Sequence, residues 1–167
     1  LPNSFVLFKP KDIVSGDFYW TYQNLEYKVI VVADCTGHGV PGALLSILGI
    51  TLLNESVIHK NIFQPNILLN ELRTNVKTIL NQYSAEQQND GMDISVCVWN
   101  TKSNVISYAG AFNSMIIVRE KNIFELKADK QPVGIYYHER DFSVHHFELM
   151  QNDMVYMYSD GFQSQFG

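Results

Sequence analysis

Aspartate closes two apolar runs far apart in this chain, and each time glycine-bearing turn chemistry follows. The first run is Val32-Ala33-Asp34-Cys35-Thr36-Gly37-His38-Gly39-Val40-Pro41-Gly42-Ala43; the second is Tyr158-Ser159-Asp160-Gly161-Phe162. A carboxylate where a rigid strand meets an open loop is held still and yet within reach of a ligand. Two such groups meeting at one end of a sheet offer oxygen-only donors, the set that hard cations such as Mg²⁺ and Mn²⁺ prefer. Taken alone, Asp34 reads equally well as a helix N-cap or Asx-turn residue, and Asp160 before Gly161 reads as a turn aspartate.

Three further aspartates bear weighing. Asp17 opens a strand from the glycine-hinged loop Val14-Ser15-Gly16-Asp17, and aspartate is depleted in strands. Asp90 and Asp93, in Asn89-Asp90-Gly91-Met92-Asp93, flank another strand start. Asp90-Gly91 suits a turn, and Asp93 suits hydrogen bonding within the fold. His38 lies among glycines as a candidate acid or ligand, although a lone histidine there is more often neither. His145 and His146 are adjacent on a predicted strand, so they face opposite ways, which argues against chelation of one ion. The chain lacks GxxxxGK[ST], GxGxxG and GxSxG, which weakens nucleotide-binding and serine-hydrolase readings.

The elements that must position these residues follow from periodicity. Ser4 to Lys9, Asp17 to Gln23 and Tyr27 to Ala33 read as strands. The third is continuously apolar after Lys28, as expected of a central strand covered on both faces. Pro41 suits the first turn of a helix, which is apolar around nearly its whole circumference through Val57 and therefore predicted to be well buried. A second helix begins near Pro65, with Ile67, Leu68, Leu72, Val76, Ile79 and Leu80 at helical spacing. A polar loop over Ser84 to Gly91 leads to strands at Met92 to Asn100, Asn104 to Ala109, Ser114 to Arg119, Ile123 to Lys127, Phe142 to Met150 and Asp153 to Tyr158. The order predicts an α+β fold with helices packed on sheets.

The 167 residues suit one domain, and 46% apolar content argues against disorder. A net charge of -5 argues against nucleic acid as a partner. Cys35 and Cys97 have no paired spacing, so a reducing, cytoplasmic compartment is the default, in a parent protein that membrane tethering would not contradict. No run of about 18 apolar residues marks a membrane span.

Taken in order, five segments resemble the SpoIIE/RsbU-type bacterial serine/threonine phosphatases of the metal-dependent, protein phosphatase 2C-like superfamily. They are Lys9-Pro10-Lys11-Asp12-Ile13-Val14-Ser15-Gly16-Asp17-Phe18-Tyr19-Trp20, the Ala33–Ala43 stretch, Asp90-Gly91-Met92-Asp93, Tyr108-Ala109-Gly110-Ala111 and Ser159-Asp160-Gly161-Phe162. The resemblance implies two packed antiparallel β-sheets flanked by helices and two Mn²⁺ or Mg²⁺ ions at one edge of the sandwich. Asp34 would bridge both ions. The backbone carbonyl of Cys35 would ligate one of them, joined by Asp17 directly or through water, and Asp160 would hold the other. Asp90 is a candidate for a third ion and Lys11 for a phosphate-gripping cation.

The activity so implied is hydrolysis of phosphoserine or phosphothreonine by a water held between the cations, with no phosphoenzyme. Asp34, Asp17 and Asp160 would be catalytic through that water. The expected partners are a phosphoprotein substrate such as an anti-sigma factor antagonist, a fused or associated sensor domain, and a second copy of the chain in a candidate homodimer. The family carries a further metal-binding aspartate beyond a final helix. The expectation is therefore one domain over residues 1–167 that lacks its C-terminal helix and last strand, with an incomplete metal site. Ser164 stands where the family often has an acidic residue. The competing readings are a pseudophosphatase or interaction module that keeps the fold without turnover, and a metallohydrolase acting on small phosphoesters.

Overall fold

The structure is a computed structural model and describes residues 3–10, 13–80 and 90–163. Lys11, Ser164 and residues 84–89 of the expected polar loop lie outside them. Strands β1 (Phe18–Gln23), β2 (Tyr27–Cys35), β3 (Gly91–Asn100), β4 (Val105–Ala111) and β8 (His145–Glu148) form one antiparallel sheet in the order β1-β2-β3-β4-β8. The two-residue β7 (Val133–Gly134) pairs with the start of β3. Strands β5 (Met115–Arg119), β6 (Asn122–Leu126) and β9 (Met154–Met157) form a second antiparallel sheet in the order β6-β5-β9.

Two helices cover one face of the larger sheet: α1 (Gly39–Leu53), which runs on as a π-helical segment (Asn54–His59), and α2 (Pro65–Ile79). Pro65 starts α2, where its missing N–H has no helical partner to lose. The helix-side core joins Val29, Val31 and Ala33 of β2 and Met92, Ile94, Val96 and Val98 of β3 to Leu45, Leu53, Leu68, Leu72 and Val76. A second cluster, Cys97, Ile106, Tyr108, Met115 and Ile117, lies between the sheets. Trp20 Nε1 donates to Asn54 Oδ1 at 3.0 Å and ties β1 to the π-helical segment.

Several sequence expectations need correcting. Residues 4–9 form no strand; Phe5, Val6 and Leu7 are exposed, and Phe8 meets Tyr19 edge-on. An apolar run becomes a strand only where a sheet edge pairs with its backbone, and β1 pairs with β2 alone. β2 is central, but only its helix-side residues are sealed; Ile30, Val32 and Asp34 on the other face are half-buried. The inter-sheet cluster draws on β3 and β4 and on no residue of β1 or β2. The helix α1 is not buried all round: Val40, Leu44 and Ile47 form an exposed stripe at helical spacing. The 21 residues of Gly39–His59 are also long and apolar enough, by length and composition, to cross a membrane. In the fold they pack on β2 and α2.

Leu53 and Leu44, nine residues apart on one helix, separate these two environments. Leu53→Ala, at 0% exposure, is expected to lower stability by about 2–5 kcal/mol. Leu44→Ala, at 62% exposure, is expected to change it by less than about 0.5 kcal/mol. Urea denaturation of both variants checks this, and equal losses would contradict the placement of α1.

Candidate active site

Strand register puts three carboxylates in one row. Phe18 pairs with Ala33, and Asp34 pairs with Asp93, so Asp17, one residue before β1, falls opposite Asp34. Alternation then fixes their face. Phe18, Ala33, Cys35, Met92 and Ile94 all belong to the helix-side core, which turns Asp17, Asp34 and Asp93 to the other face. Asp160 comes from the second sheet. It stands three residues beyond β9, at the start of the four-residue helical turn α3 (Asp160–Gln163), and hydrogen bonds with Asp34.

The structure brings together Asp17, Asp34 and Asp160 and adds Asp93, for which the sequence alone favours hydrogen bonding within the fold. The apolar residues Met92, Ile94 and Val96, spaced by two, were the available signal, because they assign Asp93 to the opposite face. Asp90 sits one residue ahead of β3, half-buried, and takes no part in the interactions that shift Asp34 or Asp93. His38 is the exposed residue preceding α1.

Close backbone packing holds the row in place. A Cβ on Gly16 would lie 3.0 Å from the Cys35 carbonyl oxygen and 3.1 Å from that of Gly37. One on Gly42 would lie 2.6 Å from the Gly37 oxygen and 3.2 Å from the Gly16 Cα. The loop before β1, the loop after β2 and the first turn of α1 therefore approach one another at positions where glycine alone fits. Gly37, at φ 88°, lies in the left-handed region that side chains resist.

Side chains fasten the same loops. The Thr36 N–H donates to the Gly91 carbonyl at 2.9 Å, while its hydroxyl donates to that oxygen and accepts from the Gly91 N–H, both at 3.1 Å. The Asp17 N–H donates to Ser15 Oγ at 3.0 Å, and Ser159 Oγ donates to Asp17 Oδ2 at 3.2 Å.

Burial first, then hydrogen bonds with Asp17 and Asp160 and the charges of both, push Asp34 up to about 8. Burial and the charge of Asp160 raise Asp93 to about 6. Burial, with Asp34 and Asp17 nearby, lifts the Cys35 thiol to about 12, so it stays protonated. That thiol lies in the helix-side core, which leaves its backbone to serve the site.

None of the ion pairs among the described residues reaches this row. Nor, among them, do three His, Cys, Asp or Glu side chains already close around one point as a metal cage would. Hydrogen bonds of Asp34 with Asp17 and Asp160, at a carboxyl held above its usual range, offset part of their repulsion. A donor set made of oxygen alone, crowded with like charge and lacking a basic partner, suits a hard divalent cation.

Compared with known proteins, residues 26–165 match the family model for Stage II sporulation protein E (SpoIIE). Compared by sequence with curated proteins, the chain has no match. Among solved structures it resembles the SiaA-PP2C domain of Pseudomonas aeruginosa, with TM-score 0.83 and 27% identity over 95% of this chain and 61% of that one. It also resembles the PP2C phosphatase domain of SpoIIE from Bacillus subtilis, solved with a fragment of its regulatory domain. There the TM-score is 0.72 and the identity 21%, over 90% of this chain and 41% of that one. A third likeness is RsbX in complex with magnesium, with TM-score 0.68 and 14% identity over 93% of this chain and 71% of that one. The chain therefore spans about three-fifths of the SiaA domain and two-fifths of the SpoIIE chain. The two weaker likenesses concern the fold alone.

The raised carboxyls give a pH signature without metal. With a folded value above the unfolded one, Asp34 binds more protons in the native state between about pH 4 and 8, and Asp93 does so between about pH 4 and 6. Their contribution to stability is fully present below about pH 4 and is lost as pH rises through those windows. In EDTA the melting temperature of the protein should fall from pH 5 to 8, and Asp34→Asn should flatten most of that slope. The slope should stay below about 1.4 kcal/mol per pH unit for Asp34, because solvent screens a half-exposed group. A stability that rises over this range, or a slope unchanged in the variant, would contradict the geometry.

Proposed function

Because the chain belongs to the SpoIIE family of protein phosphatase 2C-like domains, matched over residues 26–165, we propose that it removes phosphate from phosphoserine or phosphothreonine in a metal-dependent reaction. The observation that carries this reading is the meeting of Asp17, Asp34 and Asp160 at one edge, from two different sheets. Asp34 would face both ions, with Asp17 and the Cys35 carbonyl on one side and Asp160 on the other. When bound, two Mn²⁺ or Mg²⁺ ions would supply a nucleophilic water at neutral pH and neutralise charge building on the phosphoryl oxygens.

The chain's own residues do the positioning. Asp34 is the eighth residue of a nine-residue central strand, so its backbone moves little. Ser159 Oγ holds Asp17 by its Oδ2. The contact of Gly16 with the Cys35 carbonyl keeps that oxygen beside Asp17. A protonated, buried Cys35 thiol is no nucleophile, which is consistent with direct attack by water.

The shape of the site favours a macromolecular substrate. Asp160 is exposed, as are Thr36 and His38 next to Asp34. A cavity of about 570 Å³ lies instead at the other end of β2 and β3, lined by Tyr27, Phe63, Val98 and Asn100. An open edge of this kind would admit a phosphorylated side chain presented by another protein. By family, that protein would be a bacterial regulator such as an anti-sigma factor antagonist, with turnover controlled by a sensor domain.

The full-length protein should dephosphorylate a phosphothreonine peptide when Mn²⁺ is supplied and stop when EDTA is added. Asp34→Ala should reduce kcat/KM by at least about 10²–10³-fold without unfolding the protein. Metal-independent turnover, or a folded variant with full activity, would refute the assignment.

A further inference from the structure

We propose that Asp93 is a fourth acidic ligand of this centre, sharing a divalent cation with Asp160; the inference rests on the metal-dependent reading above. Asp93 stands directly across from Asp34 on the adjoining strand, on the same face. Directly opposed like charges weaken a sheet, so this pairing has no use to the strands themselves. Asp160, the carboxylate from the other sheet, hydrogen-bonds with Asp34, the residue that Asp93 faces. A cation seated between Asp93 and Asp160 would join the two sheets at the edge where Asp34 already bridges them.

The hydrogen bonds around Asp93 hold its backbone and leave its side chain for another purpose. Asn113 Nδ2 donates to the Asp93 carbonyl at 3.1 Å, and the carbonyl of Asn113 accepts from the hydroxyl of buried Tyr108. None of the hydrogen bonds among the described residues ends on the Asp93 carboxyl oxygens. The hydrogen bonding within the fold that the sequence predicts for Asp93 is thus made by its backbone carbonyl.

A second observation points the same way. Ser95, the next residue along this face, is fully buried, and among the described residues its hydroxyl has no hydrogen-bond partner. It pairs with Val32, one step behind the Asp34–Asp93 pair on the same two strands. An unpartnered buried hydroxyl is costly; Asp93 is the next residue toward the start of β3 on the same face, and Asp34 lies diagonal to Ser95 on β2. Hydrated metal ions bring outer-sphere waters that a hydroxyl in this place would accept or donate to.

The test is Mn²⁺ binding by the full-length protein, with free Mn²⁺ read by electron paramagnetic resonance, for wild type, Asp34→Asn and Asp93→Asn. Thermal melting of each in EDTA runs alongside. Asp93→Asn should weaken the binding of one ion by about tenfold or more, while the metal-free melting temperature stays level or rises, because a like charge has been removed. Wild-type binding in Asp93→Asn would overturn the proposal, and so would a lower melting temperature in EDTA, which would mark Asp93 as a fold residue. Absence of Mn²⁺ binding by the wild type, or full binding by Asp34→Asn, would instead overturn the metal reading on which it rests.

Discussion

Four carboxylates are held together against their own repulsion, and much of the local architecture serves to hold them there. Asp17, Asp34 and Asp93 are fixed by the register of three neighbouring strands, and Asp160 by the end of a strand in the other sheet. Backbone register is a stiff constraint, because slipping by one residue would turn every side chain of the strand to the other face. The core on the helix side of β2 and β3 forbids that slip, since Val29, Val31, Ala33, Ile94 and Val96 are all sealed there. Burial of apolar residues on one face thus supplies the free energy that concentrates charge on the other.

The glycines complete the same arrangement. Gly16 and Gly42 let three backbone segments approach to distances that any Cβ would prevent, and Gly37 supplies the left-handed turn between them. Their contact carries the position of α1 directly to the Cys35 carbonyl and to the start of β1. Thr36 and Gly91 do likewise between the loop after β2 and the start of β3. Catalytic geometry of this sort depends on groups that cannot relax when charge appears, and a site built on strand ends and glycine contacts meets that need.

Much of this was legible in the sequence where local chemistry and tertiary structure agree. The Asp34 and Asp160 segments, the helix starting at Pro65 and the antiparallel strands of the second half all follow from pattern and turn residues. The illegible parts depended on what packs against what. The apolar run at Phe5 to Phe8 looks like a strand, yet no sheet edge pairs with it. The near-uniform apolarity of α1 hides which stripe meets the sheet, and Val40, Leu44 and Ile47 lie outside it. Asp93 was visible as a residue but not as a neighbour of Asp34, because adjacency across strands is set by register that a linear reading does not contain. Asp90, the sequence candidate for a further ion, lies outside the row for the same reason.

The central claim is that a divalent cation binds among these carboxylates, at Asp34. Anomalous diffraction from crystals of the full-length protein grown with Mn²⁺ tests it most directly. The account predicts manganese peaks beside Asp34, within bonding distance of its carboxylate and flanked by Asp17 and Asp160. Manganese found only elsewhere on the molecule, with Asp34 still hydrogen-bonded to Asp17 and Asp160, would contradict it.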